Sequence, residues 1–192
     1  MSDFSTEIFS APLTINWTLS FGCNFTCEHC YSRDEVCEEL ATAELRRIVD
    51  ILVAKQIPFV NFGGGEPLIR PDLLELAAYA TGRGLNVSMN SNGWLLDAAT
   101  AKGLRDSGFK SVGISIDSAE AAAHDDFRNR PGSFARAVAA LDHLRAAGVR
   151  TTMSSVISRI NYRHFRELLD LARKHGVAQV YLHNFKCSGR GF

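Results

Sequence analysis

Apolar and polar positions along this chain fall into short runs that switch between two periods. Residues 15–20 have the two-residue alternation of a strand. Residues 42–56 have the three-and-four spacing of an amphipathic helix, with Thr42 placed to cap it and Glu44 and Leu45 in its first turn. The same switch then repeats. Residues 59–62 read as a second strand, and 71–83 as a helix opened by Pro71, whose missing N–H costs nothing at that position. Strands follow at 85–90, 111–116, 149–156 and 178–183, with helices at 97–107, 133–147 and 162–175 between them. Gly84, Gly108, Gly148 and Gly176 stand at helix ends, where a left-handed terminator is wanted.

Helix, glycine, strand, repeated in this way, is the signature of βα units on a parallel sheet. The fold class is therefore α/β. A doubly wound sheet and a (β/α) barrel share the periodicity. No internal repeat, low-complexity tract or linker divides the chain. The expected organisation is a lead-in over residues 1–14 and one core domain over 15–192. Six strands meet only five helices, and the last strand runs into the terminal segment KCSGRGF. A parallel strand needs both faces covered. The expectation is that the chain is a piece of a longer protein, or that something else covers this edge.

Composition narrows the function classes. The 192 residues are 46% hydrophobic and 22% charged, enough for one domain with a real core. The formal net charge of +0 gives no electrostatic case for nucleic acid. No apolar run approaches the roughly 20 residues of a membrane helix. The opening MSDFSTEIFSAPLT has early acids and no apolar centre, unlike a signal peptide, so a cytoplasmic location is expected. Five cysteines, three of them within eight residues, argue for a metal site in a reducing compartment over a disulfide framework.

Those three form the main chemical signal. Cys23, Cys27 and Cys30 make a C-x3-C-x2-C run in the segment FGCNFTCEHCY, directly after the first strand. Three thiolates so close together suit three corners of an iron–sulfur cube, leaving the fourth iron open to a cofactor or substrate. The competing reading is zinc, which in structural sites takes four ligands as two separated pairs; His29, Cys37 or Cys187 would then have to join. The aromatic Tyr31 and the preceding strand favour the cube.

The run resembles the cluster-binding loop of the radical S-adenosylmethionine (SAM) superfamily, and the resemblance extends over nearly the whole chain. It implies a partial (β/α)6 TIM-like barrel with parallel strands, a 4Fe–4S cluster on Cys23, Cys27 and Cys30, and SAM on the open iron. His29 stands where that family often has an aromatic residue, as a flat ring beside the SAM adenine. The glycines before Glu66 resemble the family's GGE motif, carried by Gly64, Gly65 and Glu66, which binds the SAM amino group. Without the resemblance they are a turn that allows close backbone approach, followed by a carboxylate suited to an ammonium. Asn92, in the Ser91-Asn-Gly93 turn, falls near the SAM pocket by the same pattern. Strand alternation puts Ser115 and Asp117 on one face, and the resemblance assigns Ser115 first and Asp117 second to SAM. It directs Arg128 to the SAM carboxylate, which a guanidinium fork suits, and His183 to the adenine, though a polar group at a strand end serves as well. Cys37 and Cys187 read as small buried hydrophobes.

These motifs follow strands one, two, three, four and six, the end at which α/β barrels build active sites. Convergence from so many strands favours a curved sheet over an open one. The resemblance implies that an external donor such as flavodoxin or ferredoxin reduces the cluster. SAM is then cleaved to methionine and a 5′-deoxyadenosyl radical, which takes a hydrogen atom from the substrate. Arg128 with its flanks, Gly132-Ser133-Phe134 and Gly189-Arg-Gly191 resemble the SPASM or twitch branch, which implies a peptide or protein substrate. The same chemistry on a small molecule in cofactor biosynthesis is the alternative. An iron–sulfur electron carrier and a zinc-stabilised binding module are the readings from other classes.

Overall fold

The computed structural model describes residues 11–30, 38–159 and 161–186. Six strands run β1 (Thr14–Ser20), β2 (Phe59–Gly64), β3 (Asn86–Ser91), β4 (Ser111–Ser115), β5 (Thr151–Ile157) and β6 (Gln179–Asn184). Six helices accompany them: α1 (Thr42–Ala54), α2 (Leu73–Gly82), α3 (Ala98–Asp106), α4 (Ala121–Arg128), α5 (Ser133–Ala147) and α6 (Phe165–Lys174). All strand pairs are parallel, and the order in the sheet is the order in the chain. A right-handed crossover that always steps the same way puts every helix on the same side of the sheet. Covering both faces would need a reversal in strand order. None occurs, so the sheet curls into a partial barrel, which decides between the two architectures the periodicity allowed.

The period-two alternation sorts side chains between two faces. Val60, Phe62, Val87, Met89, Val112, Ile114 and Met153 are buried and pack with Leu45, Val49, Leu76, Leu104, Leu141 and Leu144 of the helices. The concave face is polar. Asn16, Asn61, Ser88 and Ser111 stand in one register row, and Asn90, Gly113, Thr152 and Gln179 in the next. A closed (β/α)8 barrel fills this space with branched apolar residues; here it is lined mainly with amides and hydroxyls.

The helix starts differ from the sequence expectation. Ala41, not Thr42, caps α1, its backbone N–H donating to Glu44 Oε2 at 2.9 Å. Thr42 Oγ1 donates instead to Asp72 Oδ2 at 2.7 Å, joining the starts of α1 and α2. Helix α2 begins after Asp72, and the proline that opens a helical turn is Pro67, in the 3₁₀ turn Pro67–Ile69. The four glycines at the helix ends do take positive φ, from 67° to 92°. Helix α4 was not expected. Its buried side is His124, Phe127 and Arg128 at i, i+3 and i+4, a helical face with only one apolar member. Strand β6 is open on both faces among the described residues, with Tyr181 and Leu182 at 45% and 50% exposure. Among the described residues no helix is long and apolar enough to cross a membrane.

Candidate functional site

The loop after β1 carries Cys23 exposed, Cys27 buried and Cys30 half-buried. Its stem is pinned by the end of β2. The Gly65 N–H donates to the Ser20 carbonyl and the Glu66 N–H to the Gly22 carbonyl, each at 2.8 Å. Only bare backbone can come this near. A Cβ on Gly65 would lie 1.9 Å from the Gly22 carbonyl oxygen, and one on Gly64, at φ +107°, 2.3 Å from that of Ser20. The sequence led us to expect these glycines to admit a ligand; what they admit in this structure is the cysteine loop itself.

Glu66 is buried, and its carboxylate holds two further segments. Oε1 accepts from Leu68 N at 3.2 Å and Ser91 Oγ at 2.9 Å, and Oε2 from Asn92 N at 2.7 Å. Asn92 then reaches the cysteine loop, Nδ2 donating to Asn24 Oδ1 at 2.7 Å. Burial pushes the Glu66 carboxyl up, opposed by these three hydrogen bonds. Three of the roughly four lone-pair positions of a carboxylate are thus taken, and Glu66 joins the β2 and β3 ends to the loop. Next to this, Phe25 meets Trp94 edge-to-face at 5.7 Å, and the Arg130 guanidinium lies 4.3 Å from the Trp94 ring.

Helix α4 closes the opposite side. Arg128 and Asp117 are buried, and Arg128 Nε donates to Asp117 Oδ2 at 2.6 Å. Burial raises the pKa of the Cys27 thiol, and the Arg128 charge opposes that rise. Asp117 Oδ1 accepts from Val156 N at 2.8 Å, and the Asp117 N–H donates to His124 Nδ1 at 3.2 Å. Accepting there leaves the His124 proton on Nε2, and burial, then the Arg128 charge, pushes its pKa down to about 4. His29 Nδ1 lies 3.1 Å from the Phe127 carbonyl, which can only accept, so that nitrogen carries the proton. Its ring stacks on Phe127 at 4.0 Å and 6°, so one imidazole face is already covered. Burial and Arg128 also lower the His29 pKa.

The donor set suits an iron–sulfur cube. Burial raises the pKa of Cys23 and Cys27, so their protons leave when metal binds. Asn24 Nδ2, one residue from Cys23, is buried with no hydrogen-bond partner among the described residues, a spare donor of the kind that anionic sulfur attracts. Among the described residues no three His, Cys, Asp or Glu side chains are gathered closely enough to hold a single metal ion. A cube spreads its thiolates over separate irons and asks for a looser triad.

The candidates from the sequence therefore divide. Cys23, Cys27, Cys30, His29, Gly64, Gly65, Glu66, Asn92, Asp117 and Arg128 come together around the loop. Ser115 ends β4 half-buried, paired in register with Ser154. His183 is exposed on β6, opposite Val156, and no hydrogen bond of this network reaches it. Gly132, Ser133 and Phe134 have a local task, since Asp125 accepts from Gly132 N, Ser133 Oγ and Phe134 N to start α5. Cys37, Cys187 and residues 189–191 lie outside the described residues. Sequence reading missed Asn24, His124 and Phe127, and also Arg70, which donates to Glu39 and Asp72 and so ties residue 39, beyond the cysteines, to the start of α2. Asn24 and Phe127 have partners 68 and 98 positions away, and the nearer partners of His124 and Arg70, Asp117 and Asp72, follow no spacing rule that marks a site.

Parallel strands in unbroken order, with a three-thiol loop at the carboxyl end of the first, define a partial α/β barrel built to hold a cofactor at its rim. The chain belongs to the radical SAM superfamily, whose family model matches residues 17–172; members use a 4Fe–4S cluster and SAM. It is 36% identical over 185 residues to an AdoMet-dependent heme synthase of Methanosarcina barkeri, covering 95% of this chain and 53% of that protein. It is 38% identical over 184 residues to the mycofactocin maturase MftC of Mycobacterium tuberculosis, covering 94% and 46%. The fold matches Streptococcus suis SuiB bound to the precursor peptide SuiA, with a TM-score of 0.82 at 17% identity over 92% of this chain and 40% of that one. The chain spans about half the length of the curated relatives it matches.

Proposed function

We propose that this chain is the SAM-cleaving core of a peptide-modifying enzyme, with Cys23, Cys27 and Cys30 holding the cluster. When bound, a 4Fe–4S cluster with one open iron supplies the electron that splits SAM into methionine and a 5′-deoxyadenosyl radical. The observation that carries the reading is the cysteine loop, clamped by the Gly64–Gly65 backbone on one side and by α4 on the other. The polar ends of β2, β3 and β4 present Glu66, Asn92 and Ser115 to the SAM amino, carboxylate and ribose groups. We assign the ammonium to the Glu66 lone-pair position that Leu68, Ser91 and Asn92 leave unfilled, and the adenine to the His29 face turned away from Phe127. The reducing electron comes from a flavodoxin or ferredoxin in the cytoplasm.

Similarity to the mycofactocin maturase supports a peptide substrate. Similarity to the heme synthase supports the second reading, a tetrapyrrole. Hydrogen-atom transfer separates them. Reconstituted chain is given SAM, reductant and either a deuterated peptide encoded beside its gene or a deuterated iron porphyrin. The proposal expects deuterium in 5′-deoxyadenosine from the peptide. Deuterium from the porphyrin alone would transfer the assignment to small-molecule chemistry.

A further inference from the structure

On the cluster reading above, we infer that Asn24 is a further cluster-binding residue, its side-chain N–H donating to an anionic sulfur at the corner that Cys23 holds. A chain of amides fixes which way Asn24 faces. The Trp94 N–H can only donate, and it donates to Asn92 Oδ1 at 2.9 Å. That turns Asn92 Nδ2 towards Asn24, whose Oδ1 accepts from it at 2.7 Å. Asn92 is itself buried and held by its backbone, its N–H donating to Glu66 Oε2 at 2.7 Å. Turning the Asn24 amide over would set one NH2 group against another.

Asn24 Nδ2 is therefore the end left over. It is buried and has no hydrogen-bond partner among the described residues. Arg46 Nε and Ser155 Oγ share that condition, but they belong to α1 and β5 and not to the cysteine loop. Native chains seldom keep a buried donor unpaired unless a bound group completes it.

The amide stands beside the exposed cysteine. Cys23 Sγ is 3.9 Å from Asn24 Oδ1, and the Phe25 N–H donates to the same sulfur at 3.4 Å. A Cys23 sulfur that gives up its proton to metal can only accept. Asn24 Oδ1 is already engaged by Asn92. Nδ2 is then the group of this residue that can answer the added negative charge. A hydrogen bond to cluster sulfur favours the more negative, reduced state, so its loss lowers the potential.

The test is pulsed EPR of the dithionite-reduced, reconstituted chain with nitrogen-15 in its asparagine side chains. Wild type is expected to show a nitrogen-15 coupling to the cluster that is lost in Asn24→Asp, which keeps an oxygen for Asn92 and exchanges the donor for an acceptor. Asn24→Asp is also expected to shift the one-electron equilibrium tenfold against reduction, about 59 mV downward. Asn24→Ala, which adds no charge, is expected to move it the same way by less. A nitrogen coupling that survives in Asn24→Asp, none in wild type, or Asn24→Ala at the wild-type potential overturns the inference. Coupling to exchangeable protons alone would put a water at this corner and overturn it equally. If Asn24→Asp holds no cluster, Asn24→Ala serves for both measurements. A wild-type chain that assembles no cluster sinks the cluster reading itself, whereas an intact cluster without the nitrogen coupling sinks only this role of Asn24.

Discussion

Acid should unlock the α4 side of the site through one residue, His124. Its imidazole is 1% exposed and accepts the Asp117 N–H, so the folded chain needs it neutral. Its pKa is pushed down to about 4 from an ordinary 6.5. The unfolded chain takes up the proton near 6.5, and the folded chain does so only near 4. His124 therefore contributes stability that is fully present above pH 6.5 and is lost as the pH falls towards 4. That interval, at about 1.4 kcal/mol per pH unit, amounts to about 3 kcal/mol, a large share of the roughly 5–15 kcal/mol typical of a domain. The assay is urea unfolding of the cluster-free chain at intervals from pH 7.5 to 4, for wild type and His124→Asn. Asp72, held below the usual carboxylate range by Arg70, is lost with acid in the same direction in both chains. The difference between the two curves therefore isolates His124. We expect the wild type to lose about 3 kcal/mol more than the variant across that range. Parallel curves would refute the reasoning and show that the imidazole is protonated, or solvated, in the folded chain.

Three further substitutions probe the remaining supports. Gly65→Ala puts a Cβ against the Gly22 carbonyl; it should cost about 1–3 kcal/mol and lower iron content after reconstitution, and normal iron content would contradict the clamp. Glu66→Ala leaves Leu68 N, Ser91 Oγ and Asn92 N without their acceptor. It should cost about 3 kcal/mol in denaturant unfolding, and unchanged stability would mean that those donors find water. Arg70→Ala leaves Asp72 and the half-exposed Glu39 unpaired; about 3 kcal/mol is expected, and a loss below 1 kcal/mol would show the network to be a solvated surface feature.

The sequence made the strands and the cysteine loop legible because both are local. A period of two marks a strand wherever it occurs, and three thiols in eight residues announce a cluster without any tertiary context. The strand order was not legible, since one periodicity serves barrel and open sheet alike; the unbroken parallel register decides it. Helix α4 was lost because its buried face holds a histidine and an arginine, whose burial depends on Asp117 being there to receive them. The bond of Asn92 to Asn24 spans 68 positions and that of His29 to Phe127 spans 98. No spacing rule reaches so far. The glycines show the subtler limit. Their need for bare backbone was plain, but which backbone approaches them is a fact of the fold.

On the proposed reading, one short loop binds a cluster whose remaining iron is open to SAM. EPR of the dithionite-reduced, reconstituted chain, recorded with and without SAM and followed by assay for 5′-deoxyadenosine, tests it most directly. The expected result is a cluster signal that changes when SAM is added, with 5′-deoxyadenosine released, and the loss of both in Cys27→Ala. A signal indifferent to SAM, or a Cys27→Ala chain that still cleaves it, would rule out this loop as the SAM-binding cluster site.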